Sequence, residues 1–139
     1  MPLSEYRYRR RVQFADTDLA GVVHFSWIVR YMEEAEHALW REAGLSIAPA
    51  NTPGLGYPRV ALAVDFKAPL RFEEEFEDHV RITAMSRRSI SYAHTLTRGR
   101  TVIASGSMTA VCVAKHGGEL AAMELPEDVR SKLTVATSA

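Results

Sequence analysis

The chain predicts an α+β fold in which an antiparallel β-sheet of about five strands wraps around one long central helix. Three observations predict it. One stretch carries helical periodicity, the chain beyond it changes to strict period-two alternation, and short turn signals join the later strands as successive hairpins.

Tyr6 to Ala15 supplies the first strand. From Trp27 to Ala43 apolar residues recur at helical spacing: Trp27, Ile28, Tyr31, Met32, Ala35, Ala38, Leu39 and Ala43. Glu33, Glu34, Glu36 and Arg41 fall largely between them. Ser26 is the expected N-cap and Gly44 the expected residue past the C-cap. At ~1.5 Å per residue the rod is roughly 25 Å long. Residues 45–58 carry Pro49, Pro53, Gly54, Gly56 and Pro58 and read as a loop.

Beyond the loop, Val60, Leu62, Val64 and Phe66 alternate with Ala61, Ala63 and Asp65. Val80, Ile82 and Ala84 alternate with His79, Arg81 and Thr83, and Ile90, Tyr92, His94 and Leu96 with small polar residues. Alternation then runs from Thr101 to Val113. Arg98-Gly99-Arg100 and His116-Gly117-Gly118 read as turns, Arg87-Arg88-Ser89 as a bend, and Pro126 to Leu133 as a short terminal helix. Strands of ten residues span roughly 33 Å, so the sheet can curl around the helix and bury its apolar side. That is the hotdog architecture, with a generic α+β sandwich as the alternative. The long strand ending at Val113, placed at a sheet edge, is an aggregation hazard unless paired. Two copies pairing edge to edge as a homodimer are therefore expected.

The chain has 139 residues, so residues 1–139 make a single domain. Seventeen basic residues balance seventeen acidic ones, which leaves no global field for nucleic acid or an anionic membrane. Arg7, Arg9, Arg10 and Arg11, and Glu73, Glu74, Glu75, Glu77 and Asp78, read as solvated strand faces and turns. The start has no apolar h-region, so no signal peptide is expected. No apolar run approaches the ~18 residues of a membrane span. The lone Cys112 excludes an internal disulfide and reads as a small buried hydrophobe. His24, His37, His79, His94 and His116 show no metal-ligand spacing, so no metal is expected. A cytoplasmic protein is the expectation.

The densest chemical signal is Asp16-Thr17-Asp18-Leu19-Ala20-Gly21-Val22-Val23-His24-Phe25-Ser26. A strand end, a tight loop and a helix N-terminus meet at Asp18, which sets a fixed anion beside unpaired backbone N–H groups. Hydrolysis of an acyl group can use that pair directly. The parent thiol of a thioester's leaving group has a pKa near ~8.5, like cysteine, so a strong general acid is not obligatory. A nucleophile or base and an oxyanion donor suffice. Asp18 either attacks to form an anhydride or activates water. Asp16 reads as a turn-stabilising residue, and His24 as a pocket or backbone-bonded histidine.

This motif, from Phe14 to Phe25 and followed by a long helix, resembles that of acyl-CoA thioesterases of the 4-hydroxybenzoyl-CoA thioesterase type, and Tol-Pal-associated thioesterases look similar. Glu33 and Val111-Cys112-Val113 agree more loosely. The resemblance spans nearly the whole chain. It implies Asp18 as the catalytic carboxylate and a backbone N–H near Phe25 as the carbonyl donor; Gly21 of the motif and His24, as a candidate second catalytic group, complete the expected catalytic residues. It further implies that Arg87, Arg88 and Ser89 contact the phosphates of coenzyme A, which is part of the substrate, so no separate cofactor is needed. Homodimers or homotetramers with sites at the subunit interface follow from it as well.

Two departures stand out. The Tyr frequent in that family at position 24 or 25 is replaced by His24 and Phe25, and its Asn-Tyr pair by Trp27-Ile28. Trp27, Ile28, Tyr31 and the loop from 49 to 58 are expected to shape the acyl pocket. The alternatives are a 3-hydroxyacyl thioester dehydratase, which His24-Phe25 partly resembles, and a non-catalytic acyl-CoA-binding protein.

Overall fold

A computed structural model of the protein describes residues 1–137. In chain order its elements are β1 (Glu5–Arg11), α1 (Phe25–Glu42), β2 (Leu55–Gly56), β3 (Arg59–Phe66), β4 (Glu75–Met85), β5 (Ser89–Arg98), β6 (Thr101–Val111), β7 (Val113–His116), β8 (Glu119–Ala122) and α2 (Glu127–Lys132). The main sheet is antiparallel and five-stranded, in the order β1-β4-β5-β6-β3, and α1 packs on its inner face. The expected architecture is present.

Strand alternation decides what faces the helix. Phe76, Asp78, Val80 and Ile82 of β4 and Ile90, Tyr92, His94 and Leu96 of β5 all point inward and are buried. The apolar core falls into two clusters. One, below the start of α1, joins Val12, Val23, Ile28, Tyr31, Phe76 and Leu96; the other, below its end, joins Leu39, Trp40, Val80, Ile82, Tyr92 and Cys112. Between them lies a polar layer of four residues, one each from α1, β3, β4 and β5. His94 bridges Glu36 of α1 (Nε2 to Oε2, 2.7 Å) and Asp78 of β4 (Nδ1 to Oδ2, 2.8 Å). Arg59, at the start of β3, pairs with the other oxygen of Glu36. Glu36 and Asp78 are therefore buried, and Asp78 is not on the solvated face or turn expected of it. Opposite His94 in the sheet stands Gly106, where a Cβ would come within 2.5 Å of the Ala63 carbonyl oxygen. Only glycine lets β3 approach β6 that closely.

Two strand boundaries differ from expectation. β1 ends at Arg11, because the Asp16 carboxylate accepts the Gln13 amide (3.0 Å) and folds residues 14–16 into a 3-10 turn. β6 ends at Val111, because the Cys112 N–H turns to the Arg88 carbonyl (2.7 Å) and its carbonyl accepts from Met123 (3.0 Å). The chain then enters a second, three-stranded sheet, β2-β7-β8, which ties down the loop of residues 45–58. The strand expected at an edge is thus interior, and the edges are β1 and β3. The turn signals at Gly99 and Gly117-Gly118 hold, each glycine having a positive φ, and Cys112 is buried and free. Among the described residues no helix is long and apolar enough to cross a membrane.

Candidate active site

The segment after the 3-10 turn is a narrow, closed loop. The His24 amide donates to the Asp16 carbonyl (2.9 Å), Thr17 bridges Val23, and the Asp18 amide donates to the Val22 carbonyl (2.9 Å). The Gly21 amide closes the tip on the Asp18 carbonyl (3.0 Å), with Gly21 at φ 80°, a conformation that suits glycine. Asp18 is exposed at this tip. Its Oδ1 accepts the Ala20 amide (2.8 Å), which fixes the carboxylate, and among the described residues its Oδ2 has no partner. One oxygen anchors the group and the other is free.

The helix begins two residues earlier than the serine signal suggests. His24, not Ser26, is the N-cap: its Nδ1 accepts the Ser26 amide (3.2 Å) and lies 2.8 Å from the Ser26 hydroxyl. The neutral ring then carries its proton on Nε2, as that network assigns it. The Trp27 amide donates to the His24 carbonyl (2.9 Å). With the amides of Ser26 and Trp27 both occupied, the Phe25 N–H is the one in the first turn without a partner among the described residues. It sits at the positive end of the helix dipole.

Phe14, Ala15, Thr17, Leu19, Gly21 and Phe72 form an open groove around Asp18. Phe14 and Phe72 meet edge to face, 5.7 Å between centroids, and both are exposed. Phe72 lies outside the motif, so nothing in the sequence marked it. Ile28 and Tyr31 do not shape an open pocket: both are buried in the core. Trp27 is partly buried between the guanidinium groups of Arg10 (5.6 Å) and Arg30 (4.9 Å). The loop from 49 to 58 lies by α2, at the other end of α1 from Asp18.

Arg87, Arg88 and Ser89 also lie at that other end. β4 begins beside Val12 and ends at their bend, and its eleven residues at ~3.3 Å each span roughly 35 Å. Arg87 pairs with Glu124, Ser89 meets the Ser86 hydroxyl, and the Arg88 side chain is exposed. One chain therefore sets Asp18 and Gly21 at the tip of the loop and His24 and Phe25 at its base, with the arginine bend at the far end of the fold. Among the described residues no group of three His, Cys, Asp or Glu is arranged to hold a metal ion. The side chain of His116 lies outside the described residues.

A five-stranded antiparallel sheet wrapped on one long helix is the hotdog fold, and family membership makes this chain a hotdog-fold thioesterase. The chain belongs to the thioesterase-like superfamily, which residues 12–133 match. It is 30% identical over 131 residues to a 1,4-dihydroxy-2-naphthoyl-CoA hydrolase of Parasynechococcus marenigrum, covering 88% of this chain and 85% of the relative. Among solved structures it is similar to a gentisyl-coenzyme A thioesterase, with TM-score 0.81, 31% identity, and 90% and 99% of the two chains covered. It is also similar to a 1,4-dihydroxy-2-naphthoyl-CoA thioesterase from Synechocystis, with TM-score 0.83, 25% identity, and 93% and 95% covered.

Proposed function

We propose that the protein hydrolyses an acyl-CoA thioester to the free acid and coenzyme A, with Asp18 as nucleophile or general base and the Phe25 N–H in the oxyanion hole. The observation that carries this reading is the free Oδ2 of Asp18, fixed at the tip of a turn whose base leads directly into a helix start with an unpaired first amide. As nucleophile, Asp18 would bond to the thioester carbonyl carbon while the carbon–sulfur bond breaks and the thiolate leaves; water then cleaves the anhydride. As base, it would take a proton from water as the oxygen adds to the same carbon, and the carbon–sulfur bond of the tetrahedral intermediate then breaks to release the thiolate. In either case negative charge grows on the carbonyl oxygen, where a helix-terminal N–H acts most strongly.

The aromatic rim of Phe14 and Phe72 suits a flat acyl group. Relatives named for naphthoyl-CoA and gentisyl-CoA support an aromatic substrate. Reaction on coenzyme A thioesters is the basis for a cytoplasmic location.

The working unit we infer is at least a homodimer. Val60, Leu62 and Phe66 of edge strand β3 are 62%, 52% and 55% exposed, an apolar row that α1 does not cover. Antiparallel pairing with β3 of a second copy would cover it and extend the sheet. Pairing in that sense reverses strand direction, so the second copy's arginine bend would share an end with this chain's Asp18. Coenzyme A phosphates could then reach Arg88, a role arginine suits.

Thiol release from short, long and aromatic acyl-CoAs tests the reaction class. Turnover, fastest on an aromatic acyl group, is the expected result. An enoyl product from 3-hydroxyacyl-CoA without thiol release would make the protein a dehydratase, and binding without turnover would make it a carrier.

A further inference from the structure

Asp16, two residues before Asp18, is buried although it belongs to an otherwise exposed turn. Its Oδ2 receives three donors: the Tyr31 hydroxyl (2.7 Å), Arg10 Nη1 (2.7 Å) and the Gln13 amide (3.0 Å). Arg10 is held in turn. Its Nε donates to Glu34 (2.8 Å), its Nη1 also reaches the Arg11 carbonyl (2.9 Å), and its guanidinium lies 4.7 Å from the Tyr31 ring centre. Glu34 also accepts the Tyr8 hydroxyl (2.7 Å). Burial, and then the Asp16 carboxylate, push the Tyr31 hydroxyl far above its usual range, so it stays a donor.

Tyr31 and Glu34 are three residues apart on one face of α1, the helix whose first amide belongs to Phe25. The carbonyl of Asp16 accepts from His24, the residue before Phe25. Asp16 therefore connects to both halves of the site: through the chain to Asp18, and through one hydrogen bond to the helix start. Neither Tyr31 nor Arg10 lines the groove.

We propose that Tyr31 and Arg10 are positioning residues for the hydrolysis, clamping Asp16 from inside the core so that Asp18 is held in register with the Phe25 amide. This rests on the reading of Asp18 given above. A displacement of about 1 Å at a reacting group can cost about 10²-fold in rate. Loosening one of three bonds to Asp16 should cost about 10-fold in kcat, with little effect on substrate binding.

The test compares two buried tyrosine hydroxyls. Tyr31→Phe removes the clamp bond. Tyr92→Phe removes a hydroxyl, equally buried, that accepts from Trp40 Nε1 (2.8 Å) in the other core cluster. Both variants should lose thermal stability. Only Tyr31→Phe should lose about 10-fold in kcat per folded protein, with KM within about twofold, and it should cost nothing further in an Asp18→Asn background. If Tyr31→Phe does not yield folded protein, Arg10→Lys takes its place under the same criteria, since it keeps the charge but cannot reach both carboxylates. A kcat within twofold of wild type would overturn the clamp, as would an equal fractional loss with and without Asp18, while the assignment of Asp18 would stand. Wild-type protein without thioesterase activity, or Asp18→Asn as active as wild type, would bring down both.

Discussion

Glu36 on α1 and His94 on β5 meet across the core with Oε2 and Nε2 2.7 Å apart, both side chains buried. His94 is bonded at both ring nitrogens to carboxylates, so as an imidazolium it donates twice and satisfies itself. Arg59 supplies the second positive charge against Glu36 and Asp78. The layer is neutral as a set, which is how buried charges are tolerated.

A pH dependence of stability follows. Burial alone would lower the His94 pKa, but the hydrogen bonds to Asp78 and Glu36 outweigh it and raise it to about 9. The stabilisation is full below the unfolded value near ~6.5 and is lost as pH rises through about 9, on the order of 3 kcal/mol in all. Burial raises the Asp78 pKa against the pull of His94, and the loss of stability this brings with rising pH falls between the unfolded carboxylate value and that raised one. Urea denaturation of the wild type at pH 6, 7.5 and 9.5 should give falling stability, and His94→Gln should flatten the fall. Constant stability over that range would contradict the ionised layer.

The Phe25 amide can be deleted with little harm to the helix. Phe25 is the first residue of α1, where proline is favoured, and His24 before it has ψ 139°, which proline's predecessor prefers. Phe25→Pro should therefore change Tm by only a few degrees yet lower kcat by about 10²–10³-fold. Phe25→Ala, which keeps the N–H, separates side-chain effects. Equal activity of the two variants would remove this amide from the oxyanion hole.

Charging the apolar row of β3 should dissociate the protein. Leu62→Lys or Phe66→Lys replaces a half-exposed apolar side chain with a charge that a second copy would have to bury. Light scattering should show monomers where the wild type is a dimer, with thioesterase activity lost in parallel because the site is shared. An active monomer would confine the whole site to one chain.

The helix and the main strands were legible because their burial is one-sided, and period follows burial. The polar layer was partly legible: Asp78 shares parity with Val80 and Ile82, and His94 lies on the apolar stripe from Ile90 to Leu96. A carboxylate and an imidazole on inward positions predict each other, but the acidic run around Asp78 reads as a solvated turn. Glu36 falls on the helix face of Met32 and Leu39, a sign that its acidic neighbours Glu33 and Glu34 obscure. Arg10 shares parity with the half-buried Tyr6 and Tyr8, while Arg7, Arg9 and Arg11 face out. The helix start was misplaced because His24 and Ser26 can both cap and bond each other here. The β7–β8 hairpin was hidden because Val111-Cys112-Val113 continues the apolar pattern across a change of sheet.

The decisive measurement is the rate of thiol release by Asp18→Asn on the best acyl-CoA substrate, with substrate affinity measured beside it. The amide keeps the shape of the side chain and the bond to Ala20 but has no charge with which to attack or to take a proton. Turnover should fall by about 10²–10⁴-fold with substrate still bound. Turnover within a few-fold of wild type would show that the carboxylate at the loop tip does not do the chemistry.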